Sequence, residues 1–226
     1  MQLEEAWKRL REAADLAARR GSLLFHLDLA AEAGGAALAA CGHATERLAV
    51  LADDDGYRVF ALDTSASAQL LATAHFDAAG NVVVAEDGTA MPPRVVTIAQ
   101  ARATITAAGF ENCVAVVVPA HDPRGGIEGY ALTVAQRAGA MRTAGHWLLS
   151  VSPDGRRIVD RQSLIVGTPE DEIAVRRRHE TTLVSTEAVP NELHTYLSLK
   201  HDVPLIVETS ASGARWRVDG ERTRLA

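Results

Sequence analysis

Apolar residues at Leu3, Trp7, Leu10, Ala14 and Ala17 recur at three- and four-residue spacing, which predicts an amphipathic helix over residues 2–20. Glu4–Lys8 and Glu5–Arg9 are favourable i,i+4 pairs on its polar face, and Gly21 is expected to stop it. The stripe suits docking on a domain; a partner-binding or dimerising helix is the alternative. Residues 22–50 are alanine-rich and less decisive. Leu23 to Leu29 fits strand or helix, and residues 30–40 read as helix despite Gly34-Gly35, each glycine costing about 1 kcal/mol against alanine. An acidic turn at Asp53-Asp54-Asp55-Gly56 leads into strands at 57–63, 70–76 and 82–86, the last two forming a hairpin around Asp77-Ala78-Ala79-Gly80-Asn81.

A loop over 87–93 holds Met91-Pro92-Pro93, the softest boundary in the chain. It divides the sequence into a helical lead-in plus β-hairpin (1–92) and an α+β core sheet domain (93–226). Thr97 is placed to cap a helix to Ala108, ended by Gly109. Strands follow at 113–118 and 129–136, around a turn at His121-Asp122-Pro123-Arg124-Gly125-Gly126. A further hairpin at 146–151 and 157–161 turns on Pro153-Asp154-Gly155. Thr168-Pro169-Glu170-Asp171 opens a polar loop or short helix.

The densest patterning lies between His179 and Asp219. Residues 181–186 are β-branched and read as a strand; Asn191 after Pro190 is a helix N-cap. Leu193, Tyr196, Leu197 and Leu199 then fall at helical spacing, with Lys200 in the last turn, where a cation suits the helix dipole. Leu205-Ile206-Val207 is a buried strand, Ser210 to Gly213 a turn, and Ala214 to Val218 alternates, with a last short strand at Thr223-Arg224-Leu225. Trp216 and Val218 share one face and Arg215 and Arg217 the other, so Trp216 reads as a core anchor and not a ligand platform. The fold class expected is α+β, mainly antiparallel sheet with flanking helices. One sheet of about five to seven strands from residue 110 onward would be covered on one face by helices 97–108 and 191–201. Hairpin-linked strands argue against a doubly wound sheet.

Composition narrows the picture. Hydrophobic residues make up 47% and aromatics 4%, so the core must be built of Ala, Val and Leu. A net charge of −6 argues against a nucleic-acid surface. The start lacks the pattern of a signal peptide, and no run approaches the ~18 apolar residues of a membrane span, so no membrane partner is expected. Cys41 and Cys113 are too few for a disulfide framework. The expected location is cytoplasmic, or secreted or periplasmic if a leader has been removed.

The chemistry-bearing residues form no recognisable catalytic motif. There is no nucleophile elbow, phosphate loop, dinucleotide fingerprint or H-E-x-x-H, so no cofactor and no metal are expected. Cys41-Gly42-His43 reads as a helix stop and not a nucleophile. Glu192 and His194, two apart on a helix, diverge by about 200° and cannot chelate one ion. His179, Glu192 and a third group are the combination left for a metal; a structural role for a half-buried His194 is the alternative. Arg176-Arg177-Arg178 reads as a solvated face, neutralised by Glu172 and Glu180. The helix start at Pro190-Asn191-Glu192-Leu193-His194 is the best ligand candidate. Helix N-termini present unpaired N–H groups to an anion, Glu192 and His194 stand beside them, and the Ser185 and Thr186 hydroxyls end the preceding strand.

Gly145-His146-Trp147, Ser152-Pro153-Asp154-Gly155, Pro190-Asn191-Glu192-Leu193-His194, Ser198-Leu199-Lys200 and Trp216-Arg217-Val218 together resemble the pattern of an uncharacterised bacterial family. In it a Gly-His hairpin precedes a Pro-x-Glu-x-His helix and a terminal Trp-x-Val strand. The resemblance spans roughly residues 95–225 and implies an α+β fold, with no activity attached. In layout alone the segment is similar to JAMM-type metalloproteases, but the strand ending Val184-Ser185-Thr186 lacks their His-x-His ligands. Two functions are expected in turn. One is a non-enzymatic binding or protein-interaction module, for another protein or a small anionic ligand. The other is a hydrolase using His146, His179, Glu192 or His194. Convergence of these side chains in one cleft would favour the second.

Overall fold

The computed structural model describes residues 2–53, 56–65, 68–76, 81–85, 91–119, 126–167 and 172–226. Parts of the turns read at 53–56, 77–81, 121–126 and 168–171, and of the loop at 87–93, lie outside the described residues. Among the described residues are three helices and fourteen strands in antiparallel-dominated sheets, an α+β fold. The chain separates into two compact units interleaved in sequence: residues 1–25, 133–146 and 163–226 form the first, and 26–132 with 147–162 the second.

The first helix, α1 (Gln2–Ala40), passes through the division. It does not stop at Gly21. A Cβ at that position would fall on the Glu192 carbonyl oxygen and within 2.6 Å of Thr195 Cβ. The glycine is therefore there for close packing; its conformational freedom is not used. Gly34 repeats the device, since a Cβ there would come within 2.6 Å of Val59 Cγ2. The helix ends instead near Gly42, at φ 85°, with the Gly42 and His43 N–H groups donating to the Ala39 and Leu38 carbonyls. By length and composition α1 could cross a membrane. Its apolar positions are nevertheless used inside each unit: Ala14, Ala18 and Leu24 are buried in the first, and Leu27, Ala30 and Leu38 in the second.

The second unit holds two four-stranded sheets. Strands β1 (Leu48–Asp53), β2 (Gly56–Leu62), β3 (Leu70–Phe76) and β4 (Val82–Ala85) form an antiparallel meander. β5 (Cys113–Pro119), β6 (Ile127–Thr133), β8 (His146–Val151) and β9 (Ile158–Leu164) form the other sheet in that order, with some strand ends in the first unit. Helix α2 (Pro93–Ala107) packs on β1 and β5 and buries Val95, Ile98, Ala99, Ala101 and Ile105. It starts before Thr97, because Pro93 in the first turn gives up an N–H that has no helical partner and presets φ. The Pro153-Asp154-Gly155 turn joins β8 to β9 as expected. Asp154 accepts from Ser152 Oγ at 2.5 Å, and Gly155 sits at φ 74° against the α2 backbone.

The first unit holds an antiparallel ribbon of β7 (Ala140–Arg142) with β10 (Glu172–Ala174), and a four-stranded sheet. In that sheet β11 (Thr181–Ser185) runs parallel to β12 (Leu205–Thr209), joined through helix α3 (Glu192–His201). β13 (Ala214–Asp219) and β14 (Arg222–Leu225) continue it by hairpins. Ala214, Trp216 and Val218 are buried, and Arg215 and Arg217 lie on the other face. A single sheet from residue 110 onward is therefore corrected. The strands expected there are shared among separate sheets, and α2 and α3 pack in different units.

Two substitutions test this packing in urea unfolding. Trp216→Ala should cost about 3–5 kcal/mol, since Trp216 is 1% exposed. Gly21→Ala should destabilise the protein although alanine is the better helix former by about 1 kcal/mol; a neutral or stabilising result would refute the close crossing of α1 and α3.

Candidate functional site

The helix start singled out in the sequence is built as a capping structure. Asn191 has extended backbone (φ −88°, ψ 176°), and its Oδ1 accepts the Leu193 N–H at 3.1 Å. Its Nδ2 donates to Glu187 Oε1 at 3.2 Å. His194 closes the capping box from inside the helix. Its Nδ1 accepts the Asn191 backbone N–H at 3.1 Å, and its Nε2–H donates to the Val166 carbonyl at 3.1 Å. The ring is fully buried, where half-burial was expected.

His146 repeats the arrangement. Its Nδ1 accepts the Thr133 N–H and its Nε2–H donates to the Arg142 carbonyl, both at 3.2 Å. The two rings belong to one chain of backbone bonds, because the Val166 N–H donates to the Thr143 carbonyl at 3.0 Å. Each imidazole thus satisfies one backbone donor and one backbone acceptor. With both rings neutral and protonated on Nε2 all four of these bonds are made; His194 Nδ1 also lies 2.9 Å from Asn191 Oδ1. Burial accordingly lowers both pKa values to about 4, against the raising effect of the carbonyl acceptors.

The other candidates lie apart from this network. His179 is exposed in the turn before β11, its Nδ1–H donating to the Arg177 carbonyl at 3.0 Å. Glu192 is half-buried beside Arg20, whose Nη2 is 4.0 Å away. Ser185 is buried, and its Oγ accepts the Glu187 N–H at 3.2 Å; Thr186 is exposed at the strand end. Burial raises the pKa of Glu187, opposed by the Asn191 hydrogen bond. Among the described residues no three His, Cys, Asp or Glu side chains are grouped to hold a metal ion. Arg177 and Arg178 pair with Asp202, at 3.2 and 3.5 Å, and not with the glutamates expected to neutralise them. Glu172 instead holds Arg137 and Arg142, and Glu180 holds Arg217.

One feature of the first unit had no signal in the sequence. A pocket of about 250 Å³ is lined by Arg11, Asp15, Trp216, Thr223, Arg224 and Leu225. Trp216 and Leu225 are paired across β13 and β14. The α1 residues lie some two hundred positions away in sequence, so no local motif marks the site.

No family model, curated protein or solved structure matches the chain. The geometry alone therefore bears on function.

The neutral imidazoles set a pH dependence. Both folded pKa values lie below the ordinary 6.5, so the unfolded state binds more protons between pH 6.5 and about 4. The stabilisation is fully present above pH 6.5 and lost as pH falls through about 4, on the order of 3 kcal/mol per ring. Urea unfolding from pH 7.5 to 4 should show this loss. His194→Gln should be less stable at pH 7.5 yet show a shallower slope, and an unchanged slope would remove the imidazole from that account.

Proposed function

We propose that the protein is a non-enzymatic binding module. The observation that carries this reading is the use made of His146 and His194. A general base must offer a ring nitrogen to a substrate proton, and a metal ligand must offer one to the ion. Here all four ring nitrogens are committed to backbone groups, and burial holds both rings neutral. They are fitted to hold unit 1 together. His179 is exposed beside a carbonyl and Glu192 faces Arg20, so the groups available to the hydrolase reading belong to surface contacts. The first unit also presents a pocket of about 250 Å³ lined by charged and apolar residues together, a form suited to holding a small molecule.

A panel of chromogenic esters, phosphoesters, glycosides and peptide anilides at pH 7.5 tests the reading. Native protein and His179→Ala should both run at buffer background. Turnover proportional to native protein and lost in His179→Ala would establish the hydrolase instead.

A further inference from the structure

We infer that the outer edge of β14 takes up an extended peptide in which acidic and apolar residues alternate. The inference rests on the binding reading and names the class of partner. Its starting point is the edge itself. β14 stands last in the order β11-β12-β13-β14, so one side of its backbone has no neighbouring strand among the described residues. The hairpin register sorts its groups. Asp219 pairs with Arg222 across a two-residue turn, and the Ala226 N–H donates to the Arg215 carbonyl at 2.9 Å. In an antiparallel pair only alternate residues bond across. Arg222 and Arg224 therefore turn their backbone groups to β13, and the N–H and C=O of Thr223 and Leu225 point outward.

The side chains of the edge alternate as well. Thr223 and Leu225 lie on the face of Trp216, and Arg222 and Arg224 lie on the other, beside Arg217. Arg222 and Arg224 are exposed and form no ion pair among the described residues. The acids near them are engaged elsewhere: Glu180 and Asp219 both hold Arg217, and Glu221 accepts from Ser22 Oγ. Arg224 stands directly opposite Arg217, a like-charge pair that costs stability in a ladder. Carboxylates arriving on a fifth strand relieve that repulsion and meet two unpaired guanidiniums. A peptide residue opposite Arg222 or Arg224 shares their face, so acids fit at every second position, about 7 Å apart. The residues between them, opposite Thr223 and Leu225, point to the other face. There the pocket of about 250 Å³ lies between β14 and the turn of α1 that carries Arg11 and Asp15. Arg224 borders this pocket although its side chain leaves from the opposite face, so the pocket opens at the edge of the sheet. Leu225, 37% exposed, is its apolar lip, and an apolar side chain of the peptide covers it. Trp216 stays the buried core anchor, and nothing in the docking reaches its Nε1. Backbone bonding along an edge gives affinity, and side chains at alternate positions give selection.

The test is titration of the full chain with a fluorescein-labelled peptide, Ser-Leu-Glu-Leu-Glu-Ser with blocked ends, read by anisotropy and by nitrogen–proton correlation spectra. Saturation is expected with a Kd below about 1 mM. The Thr223 and Leu225 amide resonances should move downfield and their hydrogen exchange should slow. The peptide with glutamine for both glutamates should bind about tenfold more weakly, and the peptide with both leucines N-methylated should not bind. Arg222→Gln combined with Arg224→Gln should weaken binding about tenfold without lowering the melting temperature, since neither arginine has an ion pair to lose. Failure to saturate would overturn the site, as would equal binding of the glutamine or N-methylated peptide, or binding that leaves the Thr223 and Leu225 amides unmoved. Protection of those two amides that rises with protein concentration alone would put a second copy on the edge and overturn the peptide as its occupant. The two proposals fail separately. Turnover in the chromogenic panel overturns the non-catalytic reading with the titration untouched, and a failed titration overturns the edge site with that reading intact.

Discussion

Two buried, neutral imidazoles join backbone segments of the first unit that no ladder pairs with one another. His194 takes the Asn191 N–H and gives a proton to the Val166 carbonyl; His146 does the same between Thr133 and Arg142. A buried backbone group without a partner costs about 1–3 kcal/mol, and the two rings together answer four such groups. An amide side chain also has a donor and an acceptor, but both sit at one end of it. An imidazole places its acceptor and donor on opposite sides of a rigid ring, so it can bridge two strands of backbone. The His194 bridge ties the first turn of α3 to Val166.

Much of this was legible where the physics is local. Asn191 was recognisable as a cap because capping is a matter of adjacent residues, and Pro153-Asp154-Gly155 as a turn because Gly155 needs positive φ. The alternation that sends Trp216 inward is a property of six consecutive residues. The glycines of α1 were misleading for the converse reason. Gly21 reads locally as a helix stop and Gly34 as a mere propensity cost, yet what requires them is Thr195 and Glu192 in one case and Val59 in the other. A residue's reason for being small is written in a partner that the local window does not contain.

Sheet partition failed in the same way. Each hairpin was readable, but the assignment of strands to separate sheets rests on which edges meet. β1 shows this best, since Leu48–Asp53 follows an alanine-rich stretch with no strand pattern of its own and is held by its register with β2. The candidate site divides along the same line. His194 was picked out by its neighbours Asn191 and Glu192, whereas the acceptor of its Nε2–H is Val166, twenty-eight residues earlier. The Arg11–Trp216 pocket had no local trace at all.

The buried hydroxyls of Ser198 and Thr209 in the first unit are engaged in full. Ser198 Oγ donates to the Val203 carbonyl at 2.7 Å and accepts the Gly220 N–H at 3.0 Å, and Thr209 Oγ1 donates to the Ala214 carbonyl at 2.8 Å. Arg142 and Arg217 each leave Nε without a partner, but their guanidiniums are engaged through other nitrogens, on Glu172 for one and on Glu180 and Asp219 for the other. Trp216 has no second donor through which to recover the loss. A phenylalanine would fill much of the same inward face of β13 without stranding a donor. An indole at this position therefore sets the cost of one stranded donor against the larger inward surface it fills.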